Sequence, residues 1–183
     1  MSRRLLLAVL VIAGVLVGAG WVVRAEPPWY SRLVYPLRYQ HIVQGHAEHY
    51  RIDPALLAGV IYAESEFDAR ARSEAGAIGL MQLLPSTARG IATRTGGTAF
   101  VVDDLYDPEV NVRYGAWYLR HLLDRYGDER TALAAYHAGQ GNVDRWRAAG
   151  TGIGFPETRA YVERVLRFEH VYENAYADEL GLD

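Results

Sequence analysis

Glu64 is the residue in this chain whose type and position point most directly to chemistry. Leu57, Val60 and Ile61 recur at i, i+3 and i+4 on a helical pattern, and the next position on that apolar stripe is a glutamate. A carboxylate on the buried side of a helix is costly unless it is paired or protonated. Glu64 also falls in the last turn, where the negative end of the helix dipole disfavours the ionised form. Burial and dipole both push its pKa upward. A carboxylic acid that keeps its proton near neutral pH is what cleavage at a glycosidic oxygen requires of a general acid.

A glutamate at a helix end has a second reading, in which it turns to solvent or pairs with a nearby arginine such as Arg70. Other chemistries are easier to remove. The chain has no cysteine, which excludes disulfides, thiolate nucleophiles and cysteine metal sites. It also has no lysine, so Schiff-base, serine–lysine and P-loop chemistry fall away. His41, His46 and His49 share one predicted helix, but no third metal ligand accompanies the His46–His49 pair, and a helix surface is the preferred reading. No metal and no cofactor are expected. Of the 19 basic residues, Arg3, Arg4 and Arg24 flank the N-terminal apolar run, leaving 16 Arg against 22 acidic residues and a formal charge of −6. That balance argues against nucleic acid as a partner.

The elements that must position Glu64 are helical. Half of the residues are apolar and 11% aromatic, which suits a folded core and rules against disorder. Tyr39 to Arg51 reads as a first helix. Asp53-Pro54 supplies an N-cap and a proline at the first helical position, opening a helix to about Ser65. Asp107-Pro108 repeats the signal for a helix ending near Tyr126, with Gly127 as its stop. Thr131 to Ala138 is a short buried helix, Asn142 caps another through Trp146, and Glu157 to about Ala177 closes the domain. Glycines between these elements, Gly76, Gly79, Gly139 and Gly154 among them, mark tight loops.

Before the domain, Arg3 and Arg4 precede an uncharged run from Leu5 to Val23. At the helical rise these residues span about 28 Å, close to the thickness of a bilayer core. Secretory signals carry apolar stretches of only roughly 7–15 residues, which favours a retained anchor with Arg3 and Arg4 in the cytoplasm. Cleavage after Ala25 is the competing reading, and either one exports the remainder of the chain. Glu26 to Arg38, with Pro27, Pro28 and Pro36, reads as an extended linker.

The segments Ala63-Glu64-Ser65-Glu66-Phe67 through Ser73, and Gly76-Ala77-Ile78-Gly79-Leu80-Met81-Gln82-Leu83-Leu84-Pro85-Ser86-Thr87-Ala88, closely resemble the signature of soluble-type lytic transglycosylases, in the goose-type lysozyme-like superfamily. Three further blocks match in the same order: Asp107-Pro108 with Asn111 and Gly115, then Ala135-Tyr136-His137-Ala138-Gly139, then Phe155-Pro156-Glu157-Thr158-Arg159 with Tyr161-Val162. Together they cover roughly residues 40–170, and ordered blocks at sensible spacing carry more weight than any one motif. The resemblance implies Glu64 as sole acid/base and Ser73 as a group orienting that carboxyl or the bound N-acetyl group. Gly79 through Met81 to Gln82 looks like the loop that presents backbone and amide groups to sugars. Tyr136 matches an active-site tyrosine, and Glu157 and Tyr161 match groove positions. Family members usually carry asparagine where this chain has His137, which still offers one donor and one acceptor.

The expected fold is therefore mainly α, a compact lysozyme-like helical domain preceded by one N-terminal transmembrane or signal helix. The divisions are residues 1–25 as signal anchor or signal peptide, 26–38 as linker and 39–183 as catalytic domain. The resemblance implies cleavage of the β-1,4 bond between N-acetylmuramic acid and N-acetylglucosamine in peptidoglycan, leaving 1,6-anhydro ends. The expected location is the cell envelope, with the domain outside the cytoplasm and a membrane contact through the N-terminal helix. A hydrolytic muramidase on the same fold is the nearest alternative. A non-catalytic glycan-binding module is the alternative from a different class.

Overall fold

Proline sets where many of these helices begin. The computed structural model describes residues 3–182, apart from the side chains of Leu5, Leu6, Ala8 and Val9. Positions 1, 2 and 183 of the expected divisions, and those four side chains of the Leu5–Val23 run, lie outside the described residues. The helices are α1 (Arg3–Ala25), α2 (Pro28–Val34), α3 (Gln40–Tyr50), α4 (Pro54–Ser65), α5 (Pro85–Thr95), α6 (Pro108–Tyr126), α7 (Glu129–Ala138), α8 (Gln140–Ala149), α9 (Pro156–Ala175) and the short α10 (Ala177–Leu180), with a 3-10 turn at Val102–Tyr106. Helices α2, α4, α5, α6 and α9 each open on proline, whose missing N–H costs nothing in a first turn. Asp53 and Asp107 cap α4 and α6 by accepting from Ala55 and Leu56, and from Glu109 and Val110.

Among the described residues there is no strand, only isolated bridges pairing Ile78 with Arg72 and with Leu83. The main core gathers residues of α3, α4, α6, α7 and α9 around the central α4, in which every residue from Ala55 to Ile61 is buried. A second, smaller core holds Ile78, Leu83, Ala88, Ile91, Leu105 and Tyr114 beneath α5. Asn111 joins the two. Fully buried on α6, it accepts from Met81 N at 2.8 Å and donates to the carbonyls of Ile78 and Leu105 at 2.9 and 2.8 Å. The loop carrying residues 78–81 is thereby fixed to α6.

Two expectations are corrected. Residues 26–38 are not an extended linker throughout, because Pro28–Val34 folds as α2 and docks on α9. The prolines that suggested extended chain sit where a helix accepts them, and Ser31 Oγ, bonded to the Glu26 carbonyl at 3.0 Å, is buried beneath the turn. Asn142 does not cap α8, which starts at Gln140 directly after Gly139 (φ 84°). Its side chain instead donates to the Ala138 carbonyl at 2.7 Å. The expected N-terminal helix is present as α1; among the described residues no single helix is long and apolar enough to cross a membrane, and Leu10–Ala25 and Pro28–Val34 reach that measure together, bent by 79°.

Candidate active site

The last turn of α4 leaves the core where the larger lobe, built on the main core, parts from the smaller lobe, built on the second core. Burial all round ends at Ile61, and Tyr62, Ala63, Glu64 and Ser65 are only partly covered. Glu66 (φ 51°) and Phe67 (φ 62°) then turn left-handed, with Phe67 driven into the core. Ser65 ties the helix end to the facing loop, donating from Oγ to Leu80 O at 2.8 Å. Glu64 is thus held by a rigid element at the edge of the cleft.

Glu64 lines an open cavity of about 430 Å³ between the lobes, in the size range of ligand sites. From the smaller lobe come Ser73, Ala77, Gln82, Leu83, Leu84 and Thr87; from the larger lobe come Tyr118, Tyr136, His137 and the Ala138-Gly139 turn. Glu64 is the sole carboxyl group among the described lining residues. Its Oε1 accepts from the Tyr161 hydroxyl at 2.6 Å. Desolvation raises the Glu64 pKa from 4.5 to about 7, while the Tyr161 hydrogen bond and the charge of Arg164 pull it part of the way back. At neutral pH the group is close to half protonated.

The other predicted residues divide clearly. Ser73 lines the cavity, and its Oγ accepts from Ala77 N at 3.0 Å, leaving the hydroxyl proton to donate elsewhere. Gln82 adopts a left-handed backbone (φ 46°) that places its amide on the cavity wall, where Nε2 is held by the Gly79 and Ala71 carbonyls at 2.9 and 3.2 Å. Tyr136 lines the cavity while donating to Met81 O at 2.8 Å, and its pKa is pushed far up, first by burial and then by the Glu64 charge. His137 stacks on Tyr161 with ring centroids 4.5 Å apart, and its Nδ1 lies 3.1 Å from Thr158 Oγ1. Burial and then Arg164 lower its pKa, so it is neutral at pH 7.

Gly79 and Met81 do not reach the cavity. Gly79 (φ 78°) is buried, and a Cβ there would fall 2.2 Å from Asn111 Nδ2 and 2.3 Å from Leu105 O, so only glycine fits. The Met81 side chain is wholly buried against Gly115, and its backbone N–H and carbonyl are taken by Asn111 and Tyr136. These two residues therefore shape the loop and expose nothing to a ligand. Glu157 also lies outside the lining, exposed in the first turn of α9, where its charge acts on His137. Tyr161 is buried and acts through Glu64.

Sequence reasoning missed Thr87, Tyr118 and Arg164. Tyr118 neighbours the α6 core stripe, three positions after Gly115, and Arg164 stands one turn after Tyr161 on α9; both spacings were readable. The carboxylates Glu66, Asp68, Glu74, Asp103 and Asp104 are all absent from the cavity lining. His46 Nε2 is 2.8 Å from Glu109, and among the described residues no group of three His, Asp or Glu side chains is placed to hold a metal ion.

Comparison with known proteins gives this geometry a setting. The transglycosylase SLT domain matches residues 41–152. A protein of Enterobacteria phage PRD1 named "Transglycosylase" is 38% identical over 131 residues, covering 72% of this chain and 43% of that protein. "Membrane-bound lytic murein transglycosylase F" of Yersinia pestis is 35% identical over 146 residues, 75% of this chain and 27% of its own length. The crystal structure of the 70 kDa soluble lytic transglycosylase of Escherichia coli superposes with a TM-score of 0.74 at 29% identity, over 79% of this chain and 25% of that one. The chain thus spans less than half the length of these relatives.

Proposed function

The chain belongs to the transglycosylase SLT domain family, and from that premise we propose that it cleaves peptidoglycan glycan strands as a lytic transglycosylase with Glu64 as its one acid/base. The observation that carries the reading is a carboxyl group whose pKa burial raises to about 7, facing a sugar-sized cavity with no second carboxylate in its described lining. Ordinary glycosidases use two carboxyl groups, one as acid and one as base or nucleophile. A cavity with one favours a route in which the substrate supplies the nucleophile.

In that route Glu64 gives its proton to the bridging oxygen as the bond from the anomeric carbon of N-acetylmuramic acid to that oxygen breaks. The substrate's N-acetyl group assists the departure. The C6 hydroxyl of the same sugar then bonds to the anomeric carbon, and its proton returns to the Glu64 carboxylate, closing a 1,6-anhydro ring. The attacking group is already held beside its target, which lowers the entropic cost relative to water. Tyr161 keeps the carboxyl in one rotamer and stabilises its ionised state between the two steps. Ser73 and Gln82 sit on the facing wall, where their free donor and acceptor atoms suit the N-acetyl group.

The reading extends to location. An envelope substrate requires export, and the exposed apolar side chains of α1, Val11, Ile12, Val15 and Leu16 among them, support contact with a membrane. Substrate range and partners belong to the same proposal.

Mass analysis of a digest of purified peptidoglycan tests the chemistry. Anhydro-muramic ends are expected from the wild type and none from Glu64→Gln. Reducing muramic ends without anhydro product would turn the assignment to a hydrolytic muramidase. Unchanged biological function in Glu64→Gln would turn it to a glycan-binding module.

A further inference from the structure

A second concavity adjoins the cleft. It measures about 210 Å³, and Thr87 and Tyr118 wall both spaces. Its floor is α6, where Trp117 and His121 lie one turn apart with their rings within 4° of parallel and centroids 5.5 Å apart. One side is α5, through Thr87, Gly90 and Arg94; the other is Gln140, next in sequence to the Gly139 of the cleft wall. Trp117 is only partly covered and His121 is exposed.

From this arrangement we infer that the Trp117–His121 pair is a stacking subsite for a further N-acetylated sugar of the same glycan strand, beyond the sugars held at Glu64. The inference rests on the glycan-cleaving reading and adds a specificity-determining position to it. The fit is chemical. A pyranose has apolar C–H faces and a polar rim, so it suits a flat aromatic floor between hydrogen-bonding walls. Here the aromatic wall is imidazole stacked on indole, with the exposed His121 ring and the partly covered Trp117 ring both bordering the space, and the other walls are Thr87, Gln140 and Arg94, whose guanidinium Gly90 O holds at 3.1 Å. Gly90 keeps that wall low, since a Cβ there would already approach Arg94 Nη1 to 3.2 Å. Tyr118, whose ring is 5.5 Å from that of Tyr136 in the cleft, borders both spaces, so a strand leaving the cleft past Tyr118 enters the concavity that Trp117 and His121 line. The length of strand engaged then depends on a residue that never touches the broken bond.

The test uses the full-length protein carrying Glu64→Gln, so that strands bind without being cut, and purified peptide-free glycan strands sorted by length. Adding Trp117→Ala is expected to weaken binding of long strands by roughly tenfold, the size expected for losing one stacked ring, and to leave the shortest strands unaffected. Trp117→Phe restores most of the loss. Because Trp117 also touches the smaller core, His121→Ser serves as a second variant that disturbs only an exposed side chain; a smaller loss with the same length dependence is expected. Equal weakening at every length, or none at any, overturns the subsite. If the wild type meanwhile cleaves these strands normally, the subsite alone is lost; if the wild type cleaves none of them, the functional reading falls and the subsite with it.

Discussion

Gly59 of α4 lies so close under α9 that a Cβ on it would come within 2.8 Å of Glu169 N and 3.1 Å of the Val165 carbonyl. This crossing is the contact on which the site is built. Helices α4 and α9 touch more extensively than any other pair, and Glu64 and Tyr161 extend from them toward each other farther along the same interface.

Gly59→Ala is therefore expected to act against local propensity. Alanine favours a helix interior over glycine by about 1 kcal/mol, but the added methyl must push two backbones apart, at a cost of about 1–3 kcal/mol. Denaturant unfolding is expected to show net destabilisation, with turnover falling as the Glu64–Tyr161 hydrogen bond lengthens. Unchanged stability would mean that the crossing yields freely.

Tyr161→Phe removes a donor that favours the ionised form of Glu64. The Glu64 pKa should then rise above its value of about 7. Wild-type activity is expected to fall as pH climbs through neutrality and the general acid loses its proton. In Tyr161→Phe the descending limb of kcat/KM should move to higher pH, with a lower maximum. A limb that stays in place, or moves to lower pH, would show that Tyr161 does not act on the Glu64 proton.

The same carboxyl group carries a stability signature. Its pKa rises on folding from 4.5 to about 7, so its effect on stability is neutral below pH 4.5 and the penalty builds as pH rises to 7. A rise of that size corresponds to on the order of 3 kcal/mol, which access to solvent in the cleft reduces. Glu64→Gln should match the wild type near pH 4 and be the more stable protein at pH 8, by on the order of 2 kcal/mol. Thermal unfolding at the two pH values measures this. A pH-independent difference would contradict the raised pKa.

Asn111→Ala should be among the most damaging single changes in the smaller lobe. It strands Met81 N and the Ile78 and Leu105 carbonyls, all paired through one buried amide. A loss of about 2–4 kcal/mol is expected. Asn111→Asp keeps the acceptor for Met81 N but lacks both donors, so it rescues little. Full rescue by aspartate would contradict this account.

The helical class, the helix starts at Pro54 and Pro108, and Glu64 as the candidate chemical residue were all legible along the chain, because caps, prolines and periodic apolar residues act within a few positions of one another. The family blocks were legible for the same reason: each is a local run. Some local signals still misled. Pro27-Pro28 looked like a linker because a first-turn proline and an extended proline read alike until α9 provides a surface for α2. The stripe Leu57, Val60, Ile61 pointed to Glu64 for an incomplete reason, since α4 is buried all round and it is its emergence at Tyr62 that exposes the carboxyl.

Tertiary structure alone decided which residues of each block face the cleft. Gly79 and Met81 stand in the same run as Gln82, yet they are absorbed by Asn111, Leu105 and Gly115 from distant segments, while a left-handed turn places Gln82 on the wall. Tyr161 meets Glu64 across 97 positions of sequence. The sequence determined a helical protein with a glutamate positioned to keep its proton. Whether that proton is held near pH 7 depends on how much water the second lobe removes and on which hydroxyl α9 delivers, and neither quantity is encoded within a turn or two of Glu64.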